Sequence, residues 1–213
     1  MTRGTLKQSR HGRSILPWRT LLLTVIATSA YLALGPVPDQ WIFDRVAIAE
    51  GEWWRLLTAH WVHGDASHAG WDIGALLLLG ILFESKLQGR LLLALLAATV
   101  AVDAWLWWGE PALIFYCGLS GILNGLMILG LLQLWRDLRH PVILLIASGA
   151  GLKILVEMQL GQAVLTQTAW PSLPRAHAAG FACGAALFLA LRLFDKAAGR
   201  YPREKVGVGI RFE

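Results

Sequence analysis

One serine and two histidines of this sequence lie in stretches that are otherwise strongly apolar. Ser120 stands in YCGLSGILNG, inside a run from 112 to 135 without a charged residue, and His68 and His177 stand near the starts of two other apolar runs. A serine hydroxyl becomes a nucleophile when a base within about 2.6–3.2 Å takes its proton. Histidine suits that role because it titrates near neutral pH. These residue types indicate acyl-transfer chemistry, with helix packing or a simple hydrogen bond as the alternative role for the serine.

The attacked carbonyl would also need donors for the negative charge that develops on its oxygen. Backbone N–H groups near Ser120 and a side chain such as His68 or Asn124 could serve. A polar group inside a membrane is costly unless it has a partner or a function. The polar residues within the apolar segments are His63, His68, Asp72, Asp103, Ser120, Asn124 and His177.

The composition predicts a membrane protein. Only 15% of the 213 residues are charged and the mean hydropathy is +0.54, whereas a soluble domain is about 25% charged. At this length the chain is expected to form one compact helical bundle. The net charge of +5 comes from cations at the two ends and in two short loops, which is typical of a signal for membrane orientation. Nucleic-acid binding is therefore not expected.

Six apolar segments predict six membrane crossings and an all-α bundle. They cover residues 18–35, 67–84, 91–108, 112–135, 141–160 and 176–194. The cations ahead of the first segment also resemble a secretory signal, and a cleaved signal would leave five crossings. No clear small-residue cleavage site follows, so a retained first helix is favoured. The predicted organisation is a tail (1–17), a six-helix domain (18–195) and a second tail (196–213).

The loop charges predict the orientation. With six crossings, the basic tails and the basic connections after the second and fourth segments all lie on one side, which should be the cytoplasm. The opposite side then receives the long, mainly acidic loop 36–66. Tryptophan favours the headgroup layer, and this loop contains Trp41, Trp53, Trp54 and Trp61. We expect the loop to lie against the outer leaflet with some structure of its own, the alternative being an unstructured periplasmic loop.

The candidate chemical residues fall at one predicted depth. His68, Ser120 and His177 each precede the inner end of their segment by 15 or 16 residues, which at about 1.5 Å per residue is roughly 22–24 Å. Glycines at four-residue spacing let helices approach closely. Gly118, Gly121 and Gly125 flank the serine, and Gly180 and Gly184 follow His177. The fourth and sixth segments could thus bring Ser120 against His177, although ordinary packing also explains the glycines.

Three motifs together resemble the rhomboid intramembrane serine proteases. GLSG (118–121) is similar to their GxSG motif, and AHAAGFACG (176–184) is similar to their AHxxGxxxG helix. WRLLTAHWVHGDASHAGWD (54–72) resembles their first-loop tryptophan–arginine pair and the histidine-rich start of the second helix. The resemblance covers about residues 18–195. It implies a serine endopeptidase that cleaves transmembrane segments of single-pass proteins and needs no metal or cofactor.

The resemblance also implies roles for individual residues. Ser120 and His177 would form a catalytic dyad without an acidic third member. His68 and the Ser120 N–H would stabilise the oxyanion, with Gly118 in the nucleophile motif. The structural positions would be His63 in the outer part of the second helix, Trp54 and Arg55 in the first loop, and Gly180 and Gly184 at the helix contact.

Two positions depart from the common rhomboid pattern. Asp72 stands where rhomboids often carry an asparagine of the oxyanion site, and an ionised carboxylate there would repel an oxyanion. We expect Asp72 to be protonated or turned toward His68, which it would orient or keep protonated. Asn124 stands where many bacterial rhomboids have a tyrosine against the catalytic histidine. His177 would then be held by another group, with Trp71 or Asn124 as candidates.

With these departures and without a predicted soluble domain, the sequence resembles the rhombosortase branch of the rhomboids. That branch is associated with substrates that carry a C-terminal Gly-Gly signal, a transmembrane helix and a basic tail. The expected location is the bacterial inner membrane, with both termini in the cytoplasm and the active site opening to the periplasm. A general rhomboid protease of other single-pass substrates, or a non-catalytic rhomboid-like chaperone, are the alternatives.

Two other classes of protein fit the sequence less well. A metal enzyme would use His60, His63 and His68 with Asp65 or Asp72, but this spacing is loose and no HExxH helix exists. A transporter would explain the intramembrane residues Asp72, Asp103 and Glu157, but no inverted repeat is visible. Asp103 could be proposed as a triad acid, and we expect it instead to make a structural contact.

Overall fold

The computed structural model describes residues 16–87, 89–166 and 168–199. Most of the two predicted tails therefore lies outside the described residues. The helix α1 (Trp18–Leu34) is followed by a first loop that contains β1 (Phe43–Asp44), α2 (Arg45–Ala49), α3 (Arg55–Thr58) and a 3₁₀ turn (Ala59–Trp61). Then come α4 (Ala66–Phe83), α5 (Leu91–Ala104) with a π-helical turn (Trp105–Gly109), β2 (Phe115–Tyr116), α6 (Ser120–Leu138), α7 (Pro141–Leu160) and α8 (Pro174–Ala197).

Among the described residues, four helices are long and apolar enough to cross a membrane, namely α4, α5 with its π turn, α7 and α8. The prediction of a mainly helical, multi-pass membrane protein is thereby confirmed. The helix α1 is apolar but has only 17 residues. The 19-residue helix α6 packs against α4, α5, α7 and α8 and lies at the centre of the bundle. Because other helices surround it, α6 exposes little surface to lipid and can be less apolar than the other spans. The count of six crossings stays a prediction.

The fourth segment is not one helix from 112 to 135. The helix α6 begins at Ser120 and ends at Leu138. Residues 112–119 form a loop and the strand β2, which pairs antiparallel with β1 of the first loop. Gly118 has φ +114°, a conformation that L side chains rarely adopt, and it turns the chain into α6. Part of this stretch is apolar because it packs inside the protein, since Tyr116 is buried in a cluster with Phe43 and Leu106.

The first loop is folded, as expected. Arg55 is buried and donates from Nη1 to the carbonyl oxygens of Asp39 and Ile42, and its Nε contacts Glu52 Oε2 at 2.6 Å. Trp54 Nε1 donates to the carbonyl oxygen of Gln40 over 3.1 Å, while its ring stays exposed. Trp54 and Arg55 thus hold the first loop together by binding carbonyl oxygens elsewhere in the same loop. The placement of the loop in the lipid interface stays a prediction.

The opposite end of the bundle holds α1 against α4. Glu84 is buried and accepts hydrogen bonds from the backbone N–H groups of Arg19 (3.2 Å) and Thr20 (2.8 Å) and from Thr20 Oγ1 (2.6 Å). The first N–H groups of a helix have no partner within it, and a carboxylate at that end is stabilised by the helix dipole. Glu84 therefore links the start of α1 to the end of α4.

Candidate active site

Ser120 and His177 meet where α6 and α8 begin. Ser120 is the first residue of α6 and His177 the fourth of α8, and Nε2 of the histidine lies 2.9 Å from Oγ of the serine. That distance is within the range needed for proton transfer. The arrangement can therefore supply a nucleophile with its base.

Glycines permit this contact. A Cβ atom added to Gly180 would lie 1.8 Å from the carbonyl oxygen of Gly121, and one added to Gly184 would lie 2.1 Å from that of Gly125. Real Cβ atoms essentially never come closer than 3.0 Å to such neighbours. The helices α6 and α8 thus touch backbone to backbone, as the four-residue glycine spacing had suggested.

Three donors converge on one oxygen of Asp72. Its Oδ2 accepts hydrogen bonds from the backbone N–H groups of Leu119 (2.6 Å) and Ser120 (3.1 Å), and it lies 3.4 Å from Nε2 of His68. The side chain is turned toward His68, which is one of the two expected outcomes. The Ser120 N–H expected to bind an oxyanion is therefore occupied by an oxygen of the protein itself.

The tautomer of His68 follows from its second contact. The backbone N–H of Gly64 donates to Nδ1 of His68 over 3.3 Å, so that nitrogen carries a lone pair and the proton resides on Nε2. A neutral His68 with a proton on Nε2 can donate to an oxygen in the position of Asp72 Oδ2. Gly118 makes room for this ring, because a Cβ atom there would lie 2.4 Å from Nε2 of His68.

His63 lies behind these groups and is fully buried. Its ring packs edge-on against Tyr31 and His68, with centroid distances of 6.4 and 5.2 Å, and its Nε2 lies 3.4 Å from Asp72 Oδ2. Within the described part of the chain neither of its ring nitrogens has a hydrogen-bond partner. The contacts of His63 are thus mainly packing contacts.

Asn124 does not contact His177 through a hydrogen bond in the described structure. Its Nδ2 donates to the carbonyl oxygen of Ser120 over 2.9 Å, one turn earlier in α6. The Nδ1 atom of His177 faces Glu157 of α7 instead, with 3.4 Å to Oε2. The sequence offers one signal of this contact, an intramembrane glutamate four residues after Lys153, and Glu157 entered the sequence-based predictions only as a charge that a transporter would explain.

Asp103 makes a contact away from this site. Its Oδ1 lies 3.0 Å from Nε2 of the buried His60, whose ring packs edge-on against Tyr116. This pair joins α5 to the first loop. In the described ranges, 16–87, 89–166 and 168–199, no group of three or more His, Cys, Asp or Glu side chains is arranged to hold a metal ion.

The connection between α7 and α8 covers the site. Asp65, which precedes α4, accepts at Oδ2 from the backbone N–H groups of Ala169 (2.8 Å) and Trp170 (3.2 Å), and its Oδ1 accepts from that of His68. Burial opposes ionisation of Asp65, but these backbone donors outweigh it and hold its pKa below the ordinary 3.8. Trp170 packs directly on Gly64.

A cavity of about 220 Å³ opens beside the serine. Its polar lining includes His68, Ser120, Asn124, Lys153 and His177, and its apolar lining includes Trp71 and Trp170. It has room for a short stretch of extended chain next to Oγ.

The model of the rhomboid domain family matches residues 50–194, which is more than half of the chain. This protein belongs to the rhomboid family. Members of the family are generally intramembrane serine peptidases that act on membrane proteins within the bilayer. A search of curated proteins gave no match. The matched range runs from the first loop to the end of α8 and contains every residue of this rhomboid's candidate site.

Proposed function

We propose that this rhomboid is an intramembrane serine endopeptidase in which His177 activates Ser120. The observation that carries the proposal is the 2.9 Å contact between Nε2 and Oγ, next to a cavity that is large enough for a peptide segment. Ser120 Oγ attacks the scissile carbonyl carbon as its proton passes to Nε2 of His177. The carbonyl oxygen becomes negatively charged in the resulting tetrahedral intermediate.

That oxygen takes the position of Asp72 Oδ2. The donors are then the backbone N–H groups of Leu119 and Ser120, which donate to that position, and Nε2–H of His68, which lies 3.4 Å from it. Fixed donors of this kind stabilise an oxyanion strongly. Asp72 has to turn aside, and His63 Nε2, 3.4 Å from Oδ2, is a nearby group that its carboxylate could contact instead. Asp72 thus competes with the substrate for the oxyanion donors.

Collapse of the intermediate breaks the C–N bond, and His177 gives its proton to the departing amine. The acyl group stays on Oγ of Ser120. A water molecule then attacks the ester carbon as His177 takes one of its protons. The bond from that carbon to Oγ breaks, Oγ receives the proton from His177, and the new carboxylate end is released. A different nucleophile in place of water would transfer the acyl group instead of hydrolysing it.

The proposed topology is the one that the loop charges favour. The protein crosses the bacterial inner membrane six times, with α1 and α6 as the two crossings beyond the four apolar spans, and both termini lie in the cytoplasm. The starts of α4, α6 and α8 then face the periplasm. The site opens on that side, where water can reach the acyl-enzyme.

The proposed substrates are those of a rhombosortase: single-pass proteins with a C-terminal Gly-Gly, an apolar helix and a basic tail. Asp72 and Asn124 support this branch, since both depart from the common rhomboid pattern. Trp71 and Trp170 both line the cavity, and we expect residues with little or no side chain to fit beside these bulky rings on either side of the cleaved bond. Cleavage would release the substrate on the periplasmic side.

The test is co-expression with a soluble reporter fused to a Gly-Gly, helix and basic-tail segment. We expect a shortened reporter with the wild type and none with Ser120→Ala or His177→Ala. Cleavage by the Ser120→Ala variant would refute the assignment as a serine protease. A second reporter with Leu-Leu in place of Gly-Gly separates the alternatives, because a general rhomboid protease would cut both. The mass of the product's C-terminus distinguishes hydrolysis from transfer.

A further inference from the structure

Glu157 is a buried carboxylate that the proposed dyad does not use. It lies on α7, is fully buried, and directs Oε2 toward Nδ1 of His177 over 3.4 Å. Its other oxygen, Oε1, accepts from Nζ of Lys153 over 2.5 Å and from the backbone N–H of Val164 over 3.0 Å. A carboxylate in such a place is costly unless its partners are well arranged. Both oxygens of Glu157 are therefore constrained in direction.

The three side chains form a series across three helices. Ser120 Oγ contacts Nε2 of His177, and Nδ1 on the far side of that ring faces Glu157. To take a proton from the serine, Nε2 must carry a lone pair, so the ring proton must reside on Nδ1. A carboxylate in front of Nδ1 favours this tautomer. It also stabilises the imidazolium that forms when the serine proton arrives.

We propose that Glu157 is a positioning residue for His177, so that the protein works with a Ser–His–Glu series instead of a dyad. This inference rests on the proposed function, because it assigns Glu157 a part in the same reaction. The separation of 3.4 Å is longer than an ordinary hydrogen bond, and such contacts tighten when substrate binds. Glu157 acts on the base and does not touch the substrate.

Lys153 and Val164 set the direction of the carboxylate. Lys153 stands one helical turn before Glu157 in α7, and its side chain is 34% exposed toward the cavity. Because Lys153 and the backbone of Val164 share Oε1, the second oxygen is left for His177. The titratable groups that face Glu157 within the described residues are Lys153 from its own helix and His177 from α8.

The competing explanation is that Glu157 only neutralises Lys153 inside the bundle. The two explanations differ in what Glu157→Gln changes. If the role is structural, the variant loses stability but each folded molecule keeps its rate. If Glu157 positions the base, the amide lets His177 adopt the wrong tautomer, and kcat falls about 100-fold or more with KM within about twofold.

The experiment uses the full chain in liposomes with the Gly-Gly reporter. Glu157→Gln, Glu157→Asp and the wild type are compared for kcat, KM and the rate at which a fluorophosphonate labels Ser120. We expect Glu157→Gln to slow both cleavage and labelling by about 100-fold. Glu157→Asp, which keeps the charge but shortens the reach, should recover about a tenth of the wild-type rate or more. Labelling needs no peptide substrate, so it reports the reactivity of the serine without the contribution of peptide binding.

Glu84→Gln is the matched control. Glu84 is also a buried glutamate that accepts several hydrogen bonds, but it holds α1 at the other end of the bundle. The Glu84→Gln variant should have a lower melting temperature than the wild type and a kcat within about twofold of the wild-type value. If Glu157→Gln does not fold, the double variant Lys153→Gln/Glu157→Gln replaces the ion pair with a neutral pair, and a similar loss of labelling rate is expected.

The possible results separate the two proposals. Wild-type labelling and cleavage rates in Glu157→Gln or in the double variant, with Ser120→Ala inactive, would overturn the role of Glu157 and leave the serine protease standing. Cleavage by Ser120→Ala would overturn the proposed function itself. A 100-fold loss of kcat in Glu84→Gln would show that the loss in Glu157→Gln follows from instability, and the inference would fail.

Discussion

The contact between α6 and α8 makes Gly180→Ala the sharpest test of how the site is positioned. An added Cβ atom at Gly180 would lie 1.8 Å from the carbonyl oxygen of Gly121. Relief of the overlap to 3.0 Å, the shortest distance that real Cβ atoms show, requires the helices to separate by at least about 1.2 Å. Backbone, not a flexible side chain, is on both sides of the contact, so a rotamer change cannot absorb the shift.

That separation acts directly on the catalytic distance. Gly121 follows Ser120 in the chain, and Gly180 stands one turn after His177. If the helices move apart by the minimum, the 2.9 Å between Nε2 and Oγ grows to about 4 Å, which is outside hydrogen-bond range. A misplacement of about 1 Å can cost a factor of 100 in rate. Strain in a well-packed contact lowers the free energy of unfolding by about 1–3 kcal/mol. The higher helix propensity of alanine compared with glycine offsets part of this loss.

The assay is cleavage of the Gly-Gly reporter together with fluorophosphonate labelling of Ser120, each corrected for the folded fraction. We expect both rates to fall about 100-fold in Gly180→Ala. Gly149→Ala in α7 is the control, because a Cβ atom there would meet nothing within 4 Å and the gain in helix propensity is the same. Rates within twofold of the wild type in Gly180→Ala would show that the close approach of the helices is not what positions the dyad.

Two further predictions concern the aspartates of the site. Asp72→Asn should lower the melting temperature and raise the steady-state kcat about fivefold, because a neutral amide oxygen competes about 1 kcal/mol less well for the Ser120 N–H; an unchanged kcat would contradict this. Asp65 has a lowered pKa, so its hold on the Ala169 and Trp170 amides is complete above pH 3.8 and is lost as the pH falls through the lower folded-state value. Asp65→Asn should speed hydrogen exchange of those amides about tenfold at neutral pH, with the difference from the wild type vanishing in acid; a constant ratio would refute it.

The sequence was sufficient to predict the approximate positions of the long helices and to select the polar residues that lie together in the candidate site. Each of the six apolar segments overlaps one long helix of the described residues. The shared depth of His68, Ser120 and His177 corresponds to their positions near the starts of α4, α6 and α8. This worked because apolar length and polar position are properties of single segments. The glycine spacing added which two helices approach most closely.

The sequence could not reveal contacts that depend on how a helix is rotated in the bundle. Glu157 looked like an isolated intramembrane charge, because nothing in the order of residues says that α7 turns it toward His177. The hydrogen bond from the Trp170 N–H to Asp65 joins positions 105 residues apart, and no local sequence pattern predicts it. Asp72 was recognised as a departure, yet its bonds to Leu119 and Ser120 depend on where α6 begins.

The start of α6 decides whether an oxyanion can be bound at all. In a helix running from 112, the Ser120 N–H would donate to the carbonyl oxygen of Tyr116 four residues earlier and would be unavailable to a substrate. Because α6 begins at Ser120 itself, this N–H has no partner within the helix, and the positive end of the helix dipole lies beside the nucleophile. An anion is therefore favoured at this point, and in the structure Asp72 supplies it. The loop and strand before Ser120 are thus as necessary to the proposed chemistry as the serine. They cannot be predicted from the sequence, because their residues are as apolar as those of the helix that follows.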